Sequence, residues 1–308
     1  MHFVFAPMEG ITGYVFRNVR QKYYQDVEAY YTPFISPDEH HFCSPRNYRD
    51  ILPEHNWGVR VIPQVMTNRS EYFVRAAREL VAMGYDEVNL NLGCPSGTVF
   101  NKHRGAGMLR EPEELERFLD DIYSALTVKV TIKTRLGVSE PEEFYGLLEI
   151  YNRFPVGKLI IHPRVRTDFY KGTPRLSLYK EAMQLSRAPL CYNGNIFSLN
   201  GYERLMREVP GIGEVMIGRG LVANPGLIGE IGGSELDKQI LKSFHDELLE
   251  AYQEQRLGEK QLLFKMKEQW YYMASIFPGA ERQIKKIRKV NRVSEYENHV
   301  RALFAEYD

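Results

Sequence analysis

The chain has 308 residues, of which 44% are apolar and 26% are charged. This is the composition of a globular protein and excludes a disordered chain. The 40 basic and 40 acidic residues give a formal net charge of zero, which excludes a broadly basic nucleic-acid binder but not a local basic patch. We find no apolar run long enough to span a membrane, no signal peptide and no CxxC pair among Cys43, Cys94 and Cys191, so we expect a cytoplasmic protein.

Eight short runs rich in Val, Ile and Tyr recur along the chain, and each is followed by a segment with helical periodicity. They are His2–Met8, Ala29–Ile35, Val59–Met66, Glu87–Gly93, Val128–Arg135, Lys158–Arg164, Pro189–Ile196 and Glu214–Leu221. Their spacing of roughly 30 residues is that of a βα unit, and eight such units predict an α/β fold of the (β/α)8 TIM-barrel type. An open, doubly wound parallel sheet is the alternative fold.

The pattern changes after Gly232-Gly233-Ser234. From there the sequence predicts helices only, at 235–257, 259–276, 280–290 and 294–306, which is enough for a small helical bundle. We therefore expect two domains, a catalytic barrel over residues 1–233 and a helical domain over residues 234–308.

Polar residues and glycines gather at the carboxyl ends of the predicted strands, where a TIM barrel holds its active site. They include Gln64, Asn91, Cys94, Lys133, His162, Asn193, Gly194, Asn195 and Gly218–Gly220. The amides and the lysine suit a heteroaromatic ring with carbonyls and a polyol chain, while the glycines let backbone amides approach a phosphate. This set predicts a site for flavin mononucleotide (FMN). No carboxylate cluster or histidine pair has metal-ligand spacing, so we expect no metal.

Several of these residues have more than one chemical interpretation. Cys94 begins the longest βα connection, residues 94–111, which predicts a mobile lid carrying an acid or a nucleophile. Lys133 either forms a Schiff base or stabilises an anionic reduced flavin. His162 either orients the flavin or holds a phosphate. We expect the other two cysteines to be small buried residues.

In their order and spacing these residues resemble the tRNA-dihydrouridine synthase family along the whole chain. The motifs that carry the resemblance are Ala6-Pro7-Met8-Glu9-Gly10, Asn91-Leu92-Gly93-Cys94-Pro95-Ser96, Lys133-Thr134-Arg135, His162-x-Arg164-x-Arg166, Asn193-Gly194-Asn195-Ile196 and Met216-Ile217-Gly218-Arg219-Gly220. The family fold is a flavin-binding barrel followed by a helical domain. At the position of Asn195 the family usually has an acid.

The resemblance implies a reaction and a role for each matching residue. The reaction is the FMN-dependent reduction of the C5–C6 bond of a uridine in tRNA, expected in the D-loop, with NADPH or NADH as the reductant. Cys94 would protonate C5 and Asn91 would bind the target uracil. Arg164 and Arg166 alternate along the end of a strand, so we expect one of them to face the substrate and the other to point away. The flavin contacts would be Pro7, Met8, Glu9, Gln64, Lys133, His162, Asn193, Gly194, Asn195, Gly218 and Arg219.

Positive charge is concentrated in residues 259–292, which contain nine basic and three acidic residues, a net charge of +6. Aromatic residues occupy 270–272, and basic and aromatic residues together are typical of RNA-binding surfaces. We expect Trp270 to belong to a hydrophobic core. The cluster expected to face tRNA comprises Lys285, Lys286 and Lys289.

Two other functions remain open at this point. One is a flavin-dependent reductase of a free pyrimidine, which does not need a basic helical domain. The other is a Schiff-base lyase that uses Lys133 without a flavin. We expect a monomer in every case.

Overall fold

The computed structural model describes residues 1–307 and has a ring of parallel strands at its centre. The strands are β1 (His2–Phe5), β2 (Ala29–Tyr31), β3 (Val61–Ile62), β4 (Gln64–Val65), β5 (Glu87–Leu92), β6 (Lys129–Gly137), β7 (Leu159–Val165), β8 (Leu190–Asn193) and β9 (Glu214–Ile217). Their order is β3-β2-β1-β9-β8-β7-β6-β5-β4, and all pairs are parallel. Only Pro63, which has no N–H to pair, separates β3 from β4. These two pieces form one barrel strand and close the ring, so the TIM-barrel prediction is confirmed and the open sheet was wrong.

The strands are buried on both faces, as expected for parallel strands covered by helices. Every residue of β5 and β7 is buried. The barrel interior contains a cluster of buried apolar side chains from strands around the ring: Val4, Ala6, Ala29, Tyr31, Ile62, Ile160, Cys191 and Met216. Cys43 and Cys191 are both buried free thiols, as predicted.

Fourteen α-helices occur within residues 1–307. The first ten, which belong to the barrel, are α1 (Tyr14–Tyr23), α2 (Pro45–Ile51), α3 (Ser70–Ala82), α4 (Gly97–Asn101), α5 (Pro112–Ala125), α6 (Glu143–Tyr151), α7 (Leu176–Leu185), α8 (Leu199–Glu208), α9 (Arg219–Ala223) and α10 (Leu227–Ile231). The predicted end of the last strand was wrong, because the chain turns at Gly218 and continues as α9. The last four helices are α11 (Lys238–Glu254), α12 (Glu259–Met273), α13 (Glu281–Lys289) and α14 (Val293–Tyr307), and they confirm the four helices predicted for this region.

The C-terminal helices pack tightly on the barrel. Phe244 of α11 meets Phe16 of α1 edge-on, with 6.0 Å between the ring centroids, and the hydrophobic core continues across this contact. Trp270 is fully buried, as predicted, and donates its indole N–H to the Tyr296 hydroxyl at 2.7 Å. No helix within residues 1–307 is both long enough and apolar enough to cross a membrane.

Candidate functional site

A cavity of about 810 Å³, here called the reaction cavity, opens at the carboxyl ends of the barrel strands. Its size lies within the range of roughly 300–1,000 Å³ usual for cofactor and ligand sites. Twelve of the predicted site residues line it: Pro7, Met8, Glu9, Gln64, Asn91, Cys94, Lys133, His162, Asn193, Gly194, Gly218 and Arg219. The strand-end rule therefore brings most of the predicted site together in one place.

A chain of side-chain hydrogen bonds runs from this cavity into the barrel interior, and each residue donates to the next one along it. Asn91 Nδ2 donates to Gln64 Oε1 at 2.7 Å, and Gln64 Nε2 donates to Asn89 Oδ1 at 2.8 Å. Asn89 Nδ2 then donates to the Thr131 hydroxyl at 3.0 Å, which itself donates to Glu87 Oε1 at 3.1 Å. Because Glu87 only accepts, this chain, here called the amide relay, fixes which way each amide points.

The amide relay also holds the turn that presents Cys94. Asn91 Oδ1 accepts hydrogen bonds from the backbone N–H groups of Gly93 and Cys94, both at 3.0 Å. Arg135 Nε donates to the Gly93 carbonyl oxygen at 2.8 Å. Burial raises the pKa of the Cys94 thiol above its ordinary value. The thiol is therefore protonated at neutral pH and is suited to give up a proton.

The segment after Cys94 differs from the predicted flexible lid. Residues 105–109 are buried and form a short 3-10 helix. Gly105 has a φ of +55°, and a Cβ there would lie 2.9 Å from the Cys94 Cβ. The Ala106 N–H donates to the Cys94 carbonyl oxygen at 3.1 Å. The glycines thus allow close packing beneath the thiol, so this part of the connection is packed against the barrel rather than open.

Lys133 projects from β6 into the reaction cavity. Its Nζ donates to Asn193 Oδ1 at 2.7 Å, and Asn193 Nδ2 donates to the Met216 carbonyl oxygen at 2.8 Å. Burial, together with the neighbouring Arg135 guanidinium, lowers the pKa of Lys133 to about 8. An anionic or carbonyl-bearing group in the cavity would therefore gain a fixed cationic donor and would stabilise its charged form.

His162 is held as a neutral imidazole. Arg164 Nη1 lies 2.9 Å from His162 Nε2, and because arginine only donates, Nε2 must accept and Nδ1 must carry the proton. Burial and the surrounding cations hold the pKa of His162 well below its usual range. Arg164 itself is fully buried and also donates to the carbonyl oxygens of Lys171 and Gly172. Arg164 does not reach the cavity and instead positions His162.

Arg219 stands at the cavity wall between two aromatic rings. Its guanidinium carbon lies 4.8 Å from the Tyr170 ring centroid and 5.1 Å from that of Phe197. Arg219 Nη2 donates to Asn195 Oδ1 at 2.9 Å. Asn195 therefore lies behind Arg219 rather than on the cavity surface, and as a neutral residue it leaves the charge of Arg219 uncompensated.

The remaining predicted substrate contacts lie away from the reaction cavity. The Arg166 guanidinium carbon is 4.1 Å from the Phe100 ring centroid, and its buried Nε has no hydrogen-bond partner within residues 1–307. The three lysines of α13 are exposed and line a separate shallow depression of about 420 Å³ with Arg282 and His299. The structure brings neither group to Cys94.

Sequence reasoning missed one wall of the cavity. Helix α12 and the turn after it contribute Glu268, Tyr271, Tyr272 and Ser275. Their spacing of three, four and seven residues is that of one helical face, and this was the signal available in the sequence. Arg288 of α13 lies over Tyr271, with its guanidinium carbon 5.3 Å from the ring centroid. Within residues 1–307 no group of three His, Cys, Asp or Glu side chains is arranged to hold a metal ion.

Comparison with known proteins places this geometry in a family. A family model described as dihydrouridine synthase matches residues 4–306. The chain belongs to the dihydrouridine synthase family. It is 28% identical over 305 residues to a probable tRNA-dihydrouridine synthase 1 of Synechocystis sp., covering 94% of this chain and 82% of that protein. It is 24% identical to a tRNA-dihydrouridine(16) synthase of Aquipseudomonas alcaligenes, covering 94% of this chain and 95% of the other.

Among solved structures, the fold is similar to that of the old yellow enzyme from Trypanosoma cruzi. The TM-score is 0.53 at 10% sequence identity, and the match covers 77% of this chain and 89% of the other. At this identity the likeness concerns the barrel fold alone. Membership of the dihydrouridine synthase family therefore rests on the sequence matches, which extend through the C-terminal helices.

Proposed function

We propose that the protein reduces the C5–C6 bond of a uridine in the D-loop of tRNA to 5,6-dihydrouridine, using FMN and reduced nicotinamide nucleotide. The observation that carries this proposal is the position of a neutral, turn-held Cys94 thiol on a cofactor-sized cavity in a chain of this family. The name of the Synechocystis relative supports tRNA as the substrate.

The residues of the reaction cavity fit FMN. Lys133 and the Nδ1–H of His162 are donors suited to the carbonyl and ribityl oxygens of a flavin, and Arg219 is a cation suited to its phosphate. Gly218 lets the chain pack closely at this side of the cavity, since a Cβ there would lie only 3.1 Å from the Ala6 Cβ. When bound, reduced FMN supplies a hydride to C6 of the uracil.

The chain itself supplies the proton and the grip on the base. Asn91 presents a fixed amide group to a uracil edge, and Gln64 beside it presents one to the flavin, because the amide relay sets their orientation. Cys94 delivers its proton to C5, and the raised pKa of the thiol keeps that proton available at neutral pH. The target uridine must leave its stack in the RNA to enter, at a cost of a few kcal/mol. Helix α12 forms one wall of the cavity that the base would enter.

The Cys94 role is tested with two variants. Cys94→Ala removes the proton donor, and Cys94→Ser leaves a hydroxyl that is a much weaker acid. We expect both purified variants to keep the yellow flavin spectrum and the rate of flavin reduction by NADPH, while dihydrouridine formation in tRNA falls by at least 100-fold, the lower end of the usual contribution of a general acid, about 10² to 10⁴. Turnover of Cys94→Ala at the wild-type rate would remove Cys94 from the mechanism.

We further propose that residues 1–233 form the catalytic domain and residues 234–308 the tRNA-recognition domain, in a monomeric cytoplasmic protein. The exposed lysines of α13 support an RNA-facing role, because they are unpaired by any acid among the described residues. Free cysteines are in keeping with a reducing compartment. Size-exclusion chromatography with light scattering tests the monomer.

The lysine cluster is tested by charge removal. The triple change Lys285→Gln, Lys286→Gln and Lys289→Gln should weaken tRNA binding and make it less sensitive to salt. In a plot of log K against log[salt], the slope should become shallower by about one for each phosphate that no longer has a lysine beside it. A control with equal loss of charge changes Arg78, Arg117 and Lys180 to Gln, which are exposed on barrel helices. Equal salt slopes for the two triple variants would rule out a specific role for α13.

A flavin reductase of free pyrimidines is the alternative. Uracil and uridine assayed beside tRNA separate the two functions. A tRNA enzyme should turn over the free compounds with a kcat/KM lower by roughly 100-fold or more, because they lack the binding energy that the rest of the tRNA contributes to catalysis. The Schiff-base lyase is tested by the absorbance of the purified protein: a colourless protein that borohydride traps on a carbonyl substrate would favour it.

A further inference from the structure

A second cavity lies beside the reaction cavity, between the barrel rim and the C-terminal helices. It has a volume of about 210 Å³ and shares two wall residues, Glu9 and Pro33, with the reaction cavity. Helix α12 lines both, with Lys265 in the second cavity and Glu268 one turn further on in the first. A ligand that fills the reaction cavity therefore has an adjoining compartment within reach.

The acidic side chains of this second cavity are already committed. Asp50 accepts the backbone N–H of Tyr14 at 2.6 Å and forms an ion pair with the fully buried Arg17 at 3.1 Å. Glu9 faces Arg46 at 3.6 Å. Because both carboxylates already have a cationic partner, the local charge balance depends on the basic residues that remain.

Two basic residues of the cavity have no carboxylate within ion-pair distance among residues 1–307. Arg49 is exposed at the rim, and Lys265 is half-buried with its Nζ 3.3 Å from the Gly10 carbonyl oxygen and 5.0 Å from the Tyr252 ring centroid. Burial and the nearby Arg46 lower the pKa of Lys265, and the more distant carboxylates of Glu268, Asp50 and Glu9 offset this only in part. A bound anion would relieve this repulsion, so the charge of the cavity favours a ligand with a negative group.

The cavity also has apolar lining residues, Val15, Pro33 and Leu257. The amides of Asn47 and Gln255 line it as well, and each already makes a hydrogen bond, Asn47 to the Phe34 carbonyl oxygen and Gln255 from the Tyr14 hydroxyl. Apolar surface with a few amides suits a nucleobase, and the cations suit its phosphate. The chemistry of the whole cavity is that of a nucleotide site.

We propose that this second cavity binds the nucleotide next to the target uridine, its phosphate on Arg49 and Lys265 and its base on the apolar surface. The inference rests on the proposed function, because a uridine that enters the reaction cavity from RNA always brings an attached neighbour. The adenosine phosphate of a nicotinamide nucleotide has the same chemistry, and the two sources differ in which half of the reaction they affect.

The test uses the flavin-containing full-length enzyme and two single variants, Arg49→Gln and Lys265→Met. Arg49 is exposed, so its replacement leaves folding intact; Lys180→Met, on the outer helix α7, is the matched control. Three quantities are measured: tRNA affinity by filter binding over a range of salt, flavin reduction by NADPH without RNA, and flavin reoxidation by tRNA.

We expect each variant to bind tRNA roughly tenfold more weakly, with a salt slope lower by about one, and to be reduced by NADPH at the rate of the control. A tRNA affinity and a salt slope equal to those of Lys180→Met would overturn the proposal. A slower flavin reduction by NADPH with unchanged tRNA binding would also overturn it, and would assign the cavity to the nicotinamide nucleotide. If the wild-type enzyme binds tRNA but forms no dihydrouridine, the proposed function fails, whereas the binding comparison still decides the role of the cavity.

Discussion

Replacement of Thr131 by valine isolates the energetic contribution of the amide relay. Thr131, Asn89 and Glu87 are almost completely buried. Valine keeps the shape of threonine but removes the acceptor of Asn89 Nδ2 and the donor to Glu87 Oε1. Glu87 retains Lys129 Nζ at 2.8 Å. Rotation of the Asn89 amide by 180° cannot compensate for the lost acceptor, because it would turn the NH₂ group of Asn89 toward that of Gln64.

One buried N–H without an acceptor costs about 1–3 kcal/mol, so we expect Thr131→Val to lower the free energy of unfolding by about 2 kcal/mol. The assay is urea unfolding followed by circular dichroism, with an unchanged m-value. Thr131→Ser is the control, since it keeps the hydroxyl and loses one buried methyl group, at about 1 kcal/mol. If the valine variant is as stable as the wild type, and therefore more stable than the serine variant, the relay makes no measurable contribution and the reasoning fails.

Two further predictions concern Lys133 and the glycine beneath Cys94. The pKa of Lys133 is about 8 in the folded protein, against 10.5 for an exposed lysine. Between these two values the unfolded chain binds more protons than the folded one, so the free energy of unfolding of the wild type increases as the pH rises. Flavin-free Lys133→Met should therefore be more stable than the wild type at pH 7 and lose this advantage by pH 10.5 in thermal unfolding; a constant difference would contradict the shifted pKa. Gly105→Ala should lower stability by about 2 kcal/mol or more and slow dihydrouridine formation, whereas Gly97→Ala, with open space around it, should do neither; equal unfolding curves would show that the turn adapts.

The barrel was predictable because its signal is local and repeated. Each buried parallel strand is a continuous apolar run, and the strand-end rule then gathers Gln64, Asn91, Cys94 and Lys133 without any knowledge of distances. Strand ends were less certain, because backbone pairing decides them: β1 stops at Phe5, three residues before the predicted Met8.

The errors and omissions arise from packing between distant segments. The length of the connection 94–111 suggested a mobile lid, but its glycines at 105 and 107 serve close packing against Cys94 and Phe100. The side chain of Arg164 turns to a buried histidine, and no pattern in a single strand reveals which way it points. The contribution of α12 to the cavity depends on how this helix docks onto strand ends that lie far apart in the chain, although its polar and aromatic face was visible in the spacing.

The docking of α12 over the strand ends has a consequence for how this architecture is able to diversify. A helix that supplies Glu268, Tyr271 and Tyr272 to the same cavity as Cys94 is not an interchangeable module. A chimera that joins this barrel to a relative's helices would replace one wall of the reaction cavity. Under the proposed function, we expect a change of substrate position to need substitutions on both the barrel and α12, and a chain cut at residue 233 to leave the reaction cavity open to solvent.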